Sequence, residues 1–241
     1  MFASNKMFVS GIILVFTIFL FACDKKNPTE STQNNNTGPL TDIDGNVYQT
    51  VLIGDQWWIT ENLKVTHFRN GDPIPDVTDA TAWAALSTSA YCAYDNNEGN
   101  TATYGYLYNW YAVNDDRNIA PEGWHVATES DWNELERHLG MNTSAASILG
   151  WRGVDEGNKM KSTTGWGPND NGNNESGLSL LPGGTRGNDG SFNSLGDGGC
   201  FWSSSRSTNF AWYRWLGVQE SRVFRGSYHK GFACSVRLIK N

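Results

Sequence analysis

Apolar and polar positions alternate in two short runs near residue 50. Residues 47–53 are β-rich, follow a turn at Asp44-Gly45-Asn46, and lead through Gly54-Asp55 into Gln56-Trp57-Trp58-Ile59. Two extended runs joined by so tight a turn predict a β-hairpin. The period becomes helical over residues 128–139, where Trp132, Leu135 and Leu139 fall at i, i+3 and i+7 on one face. Thr128-Glu129-Ser130-Asp131 has capping-box spacing ahead of that stripe, and Gly140 follows it where a left-handed C-cap belongs. Shorter helices are predicted over residues 78–86 and 144–149. From 178 to 238 the chain reads as short β-like runs separated by Gly, Asn, Asp and Ser turns. An α+β domain with a modest sheet, a couple of helices and much irregular structure fits this pattern.

The N-terminal pattern is different. Residues 7–22 are one uncharged apolar run that follows Lys6 and ends against Cys23. A helix needs about 20 apolar residues to cross a bilayer, and this run is shorter. A basic start, an apolar stretch and a small residue before a cysteine describe an export signal over residues 1–22. Leu20-Phe21-Ala22-Cys23 is similar to a bacterial lipobox, although Phe21 is bulkier than usual there, so Cys23 is the expected lipidation residue. Residues 24–40 are polar, rich in Asn and Thr and free of aromatics, the composition of a flexible tether. The expectation is a lipoprotein anchored in a membrane of the bacterial cell envelope, at the outer membrane or cell surface. An ordinary cleaved signal and an uncleaved anchor are the other readings of the same run.

Charge and composition narrow the function classes. The 241 residues hold 25 Asp+Glu against 18 Lys+Arg, a net charge of −7, with no basic stripe to neutralise phosphates, so a nucleic-acid partner is not expected. Eleven Trp and nine Tyr supply large apolar side chains for a core despite a mean hydropathy of −0.49. Composition is even over 41–241, which reads as one domain. Apart from Cys23 there are three cysteines, Cys92, Cys200 and Cys234, and an exported chain should hold one pair and one leftover. Cys200 precedes one predicted strand and Cys234 lies inside another; if those strands are neighbours, the bridge is Cys200–Cys234. There is no CxxC and no close Cys/His cluster for zinc.

Seven runs taken together, TDIDGNVYQTVLIGDQWWITENLK, YGYLYNWYAVND, GWHVATESDWNELERHLG, KMKSTTGW, LLPGGTRGNDGSF, FWSSS and GFACSVRLIK, resemble the Fibrobacter succinogenes major paralogous domain family in its own order. The likeness spans essentially 41–241. It implies a secreted or lipid-anchored bacterial protein and carries no defined activity with it. The same stretches are similar to the formylglycine-generating-enzyme and C-type-lectin-like superfamily. That implies two helices against small antiparallel sheets, with long loops carrying the variable surface. Two departures stand out. Where the family places a cysteine before the Pro of its CPxGWH motif and another near its final strand, this chain has Ile119-Ala120-Pro121 and Arg237-Leu238. Loss of one disulfide would look like this, with Cys200–Cys234 as a replacement. The closely spaced copper-binding cysteines of the oxidase branch are also absent, which weighs against formylglycine-generating activity.

No G-x-S-x-G elbow, P-loop, G-x-G-x-x-G or H-E-x-x-H occurs, and no catalytic residue is assigned. His67, His125, His138 and His229 are scattered, and His125 reads as a packed, hydrogen-bonded side chain. Glu61, Glu129, Asp131 and Glu134 sit beside structural motifs and read as caps or surface groups. No cofactor is expected. Asp42-x-Asp44-Gly-Asn46, Asn169-Asp170-Asn171 and Asn188-Asp189 offer oxygens for a structural calcium, but the same residues are ordinary turn formers. The remaining signal is aromatic. In a strand, Trp212 and Arg214 share one face while Tyr213 and Trp215 share the other. The ligand surface assigned from this region is Arg206, Asn209, Arg214, Arg222, Arg225 and Tyr228, for a polysaccharide or an envelope protein; a solvated basic face is the bland alternative. The leading function is a lipid-anchored, lectin-like binding module without catalysis. The alternatives are a divergent formylglycine-generating-type or carbohydrate-active enzyme, and a structural envelope component.

Overall fold

A computed structural model of the chain describes residues 1–3 and 38–241. The chain divides into two units, Met1–Gln33 and Asn34–Asn241, and every described helix and strand lies in the second. The export signal, Cys23 and most of the tether lie outside the described residues.

The architecture is α+β, with short helices against small sheets. The expected hairpin forms between Thr50–Ile53 and Gln56–Ile59, with Leu52 opposite Trp57 and Gly54 in the left-handed region at φ 61°. The β-rich run before it is split. Val47–Tyr48 pairs instead with Leu40–Thr41, and the Gln49 N–H between the two strands donates to the Glu61 carboxylate rather than to a ladder. The hairpin continues through Leu238–Lys240 to Trp124–Val126, so the beginning and end of the domain share one four-stranded sheet.

The larger sheet runs in the order Tyr91–Cys92, Leu107–Asn109, Ala233–Cys234, Gly183–Arg186, Gly198–Arg206, Ala211–Gly217, Val223–Tyr228, Gly150–Arg152. Phe192–Leu195 pairs with Gly183–Arg186 off that path. The predicted strand over 231–238 is therefore two strands in two sheets. Arg237 sits at the crossing, fully buried, and donates to the carbonyls of Ile59, Leu178 and Ser179 and to Asn62 Oδ1.

The long helix is Glu129–His138, with Thr128 as N-cap and a capping box closed by Asp131. Its Trp132 and Leu135 are fully buried, as the stripe predicted. Ala80–Ala84 forms within the shorter predicted helix, capped by Asp79. Thr143–Ala146 ends sooner than expected because the chain turns at Gly150, φ 84°, into the edge strand Gly150–Arg152. Thr101–Tyr104, Trp110–Val113 and Glu156–Met160 are further single turns of helix without a sequence stripe of their own.

Indole rings dominate the core, and each deeply buried one has its N–H satisfied. Trp58 donates to Gln56 Oε1, Trp83 to Gly231 O, Trp110 to Ser203 O, Trp132 to Trp202 O, Trp166 to Leu180 O and Trp202 to Tyr108 O. A buried indole left unpaired would be penalised, so this core specifies its own geometry. Cys200 and Cys234 form the disulfide, with Cα atoms 5.0 Å apart and the strands joined by Ser235 N–H to Cys200 O. Cys92 is a buried free thiol, pushed up to about 12 by burial, and is not a nucleophile at neutral pH.

Candidate functional site

Two adjacent strands, Ala211–Gly217 and Val223–Tyr228, pair with Trp212 opposite Ser227, Tyr213 opposite Gly226, Arg214 opposite Arg225 and Trp215 opposite Phe224. Because side chains alternate across a strand, the register sorts the residues into two faces. Arg214, Arg225 and Trp212 point one way; Tyr213, Trp215, Phe224 and Tyr228 point the other.

The arginine face lies under the helix Glu129–His138. Arg214 is 1% exposed, with Nε donating to Glu136 Oε1 at 2.6 Å and the other nitrogens donating to Glu129 and Asn133. Arg225 donates to the second oxygen of Glu129 at 2.7 Å and to Ser147 O, with its guanidinium 4.2 Å from the Trp212 ring centre. Arg152, from the edge strand, reaches the second oxygen of the fully buried Glu136 at 2.6 Å. Burial pushes the Arg152 guanidinium down. Burial opposes ionisation of Arg214 too, but the two glutamates override it and hold it above its ordinary range.

The opposite face is open. Trp151, Tyr213, Trp215, Phe224, Tyr228 and Phe232 line a cleft of about 410 Å³, with Thr185 and Asn193 on its rim. That lies within the roughly 300–1,000 Å³ typical of small-molecule sites. The rings of Tyr213 and Phe224 are inclined by only 32°, with centroids 5.9 Å apart, and together make a floor. Trp151 stands at 75° to Phe224, and Tyr228 at 86° to Tyr213. Glycines explain why the floor rings can lie down. A Cβ at Gly226 would stand 2.7 Å from Phe224 Cε1 and 3.2 Å from Tyr213 Cε1, and one at Gly198 would stand 2.2 Å from Trp215 Cζ2. Among the described residues, no hydrogen-bond partner faces the indole N–H of Trp151 or Trp215, or the hydroxyl of Tyr213 or Tyr228.

A family model described as the Fibrobacter succinogenes major domain matches residues 51–240, a span that includes both faces. The chain belongs to that family. No curated protein and no solved structure matches it.

Within this Fibrobacter succinogenes major domain, the six residues assigned from the sequence do not form one surface. Tyr228, 45% exposed, lines the aromatic cleft. Arg214 requires a correction: it is buried, with its nitrogens donating to Glu129, Glu136 and Asn133, so it presents no free donor at the surface. Arg225 shares that network. Arg222 is exposed but chelated by its neighbour Glu220, at 2.8 and 2.6 Å. Arg206 donates to Asn114 Oδ1 on a separate polar cleft of about 520 Å³, shared with Asp115, Lys230 and Trp110. Asn209 is exposed in the bend before Phe210. The reasoning from the arginines missed Trp151, Phe224 and Phe232. The alternation that separates Tyr213 and Trp215 from Arg214 is the signal that could have found the aromatic face.

Among the described residues, no group of three or more His, Cys, Asp or Glu is arranged to hold a metal ion. Several of the turn oxygens weighed for calcium are engaged within the chain. Asp42 accepts from the N–H groups of Asp44 and Asn46, the Asn46 amide and the Tyr48 hydroxyl. Asp170 Oδ1 accepts from Gln219 N–H, and Asp189 Oδ1 from Ser191. His125 bridges Asp131 Oδ2 at 3.0 Å and Asn241 Oδ1 at 2.6 Å, tying the helix start to the last residue of the chain. The hydrogen bond to Asp131 raises its pKa.

Proposed function

We propose that this domain is a binding module of the bacterial cell envelope, lipid-anchored at Cys23, and that the aromatic cleft takes a polysaccharide. The observation that carries the reading is the outward-facing aromatic floor, Tyr213 and Phe224, in a molecule whose deeply buried indoles are otherwise hydrogen-bonded. Rings that keep one face open to solvent stack well on the C–H faces of sugars, while unpaired N–H and O–H groups beside them suit sugar hydroxyls. The apolar run ending at Cys23 and the polar stretch after it support an anchor and a spacer. The superfamily we favour is the C-type-lectin-like and formylglycine-generating-enzyme-like one. A closing strand paired with the strand that precedes the long helix supports that placement.

The test is a binding screen of the purified protein against arrayed glycans and bacterial polysaccharides, with Trp151→Ala and Tyr228→Ala as site variants. Saturable binding that both variants weaken is the expected outcome. Binding that neither variant changes, or turnover of a saccharide in place of retention, would remove this reading.

A further inference from the structure

The chemistry of the cleft limits what kind of saccharide it can hold. Among the described residues, no Asp, Glu, Lys or Arg lines it. The arginines of the same two strands are on the far face, and Arg214 and Arg225 are there bound to Glu129 and Glu136. An acidic sugar would therefore place a carboxylate against the negative faces of Tyr213 and Phe224 with no counter-charge, after losing its own hydration. A calcium bridge would need several oxygen ligands, preferably carboxylates, and the cleft has none of the latter. What the lining does offer is neutral: phenol hydroxyls, indole N–H groups, the Thr185 hydroxyl and the Asn193 amide, set around aromatic rings.

Resting on the glycan reading above, we infer that the ligand is an uncharged pyranose saccharide, held by ring stacking and neutral hydrogen bonds without a metal ion. Two floor rings 5.9 Å apart give consecutive sugar units of an extended chain a ring each. Trp151 and Tyr228 stand edge-on to the floor rings and line the same cleft, which limits the site to a short stretch of the chain.

The experiment titrates the full chain in detergent with defined hexasaccharides and follows heat and tryptophan fluorescence. The neutral probes are β-1,4-linked glucose, xylose and mannose; the acidic ones are oligogalacturonate and cellohexaose oxidised at C6. Each is run with calcium and with EDTA. The expected result is that a neutral probe binds at least about tenfold more tightly than the acidic ones. Its Kd is the same in EDTA, and Trp151→Ala weakens it by about tenfold or more. Preference for an acidic probe, or loss of binding in EDTA, would overturn the inference while leaving the glycan reading standing. Binding indifferent to Trp151→Ala would place the sugar elsewhere and overturn the assignment to this cleft. If no saccharide binds a protein that circular dichroism shows to be folded, the glycan reading falls, and this inference falls with it.

Discussion

The two faces of the Ala211–Gly217 and Val223–Tyr228 strands invert the usual partition of residues. The side covered by the long helix carries Arg214 and Arg225, which pair with Glu129 and Glu136 of that helix beside Arg152 from the edge strand, whereas the other side carries four aromatic rings. Both come from one alternating stretch of chain, so backbone geometry cannot be the cause of the difference. What separates them is the neighbour. Glu129, Asn133 and Glu136 lie at i, i+4 and i+7 on the helix and present a polar stripe that only the arginines can satisfy. On the other side Tyr213, Trp215 and Phe224 are half-buried and Tyr228 is exposed, and glycines beside them leave room for the rings. Charge on this sheet ties it to the helix, and apolar surface is left on the other side.

The largest expected effect lies on the charged face. Arg214→Ala leaves Glu136 buried with Arg152 as its single cationic partner, and truncating one member of such a network typically costs about 3–5 kcal/mol. Urea unfolding of the protein would measure it. Trp151→Ala, on an edge strand and 36% exposed, should change stability by less than about 1 kcal/mol while impairing ligand binding. If both variants destabilise equally, the aromatic face is core and the comparison collapses.

A finer contrast comes from Gly226→Val. The new side chain would displace Phe224 and Tyr213, yet both rings border an open cleft and can swing away. A stability loss of about 1 kcal/mol, the low end for overpacking, should accompany a large loss of saccharide affinity. Ligand titration and unfolding of the same preparation separate the two. Unchanged affinity would mean that the floor rings are not the contact surface.

Local signals explain what could be read from the sequence. The capping box and apolar stripe of Glu129–His138 need only neighbouring residues, and so does the Gly54-Asp55 hairpin turn. The Cys200–Cys234 bridge followed from two short β-like runs and the number of cysteines. The cleft had no such local signature. Trp151 enters it only through its pairing with Phe224, and Thr185 and Asn193 arrive from a third part of the chain. Gly198 and Gly226 carried no sequence signal of their own, and a Cβ at either would meet a ring. Alternation divided residues 212–215 correctly, but it could not say which face the helix would cover, so the arginines were assigned to the ligand.

The smallest expected effect tests whether pH acts on this comparison through the end of the helix. His125 is the imidazole close to the charged face, its ring half-buried against Asp131 and Asn241. The hydrogen bond to Asp131 holds its folded pKa above the ordinary 6.5, so its contribution is complete below that value and fades as pH rises through the folded pKa. Burial raises Asp131, but hydrogen bonds from His125 and Thr128 outweigh it and leave the carboxyl below 3.8; its contribution disappears only as pH falls through that lower value. The pair therefore stabilises a window from the acid side of pH 4 to somewhat above 6.5. With a third of the imidazole in solvent, screening limits the gain to about 0.5–1 kcal/mol. Unfolding free energies from urea titrations at about pH 6 and about pH 8.5 should differ by that amount in the parent protein and converge in His125→Gln. Ligand affinity at the aromatic cleft should stay level over the same range, because no His, Asp, Glu or Lys among the described residues lines it. A cleft affinity that followed the His125 transition would show that the helix end and the open face are coupled through the sheet.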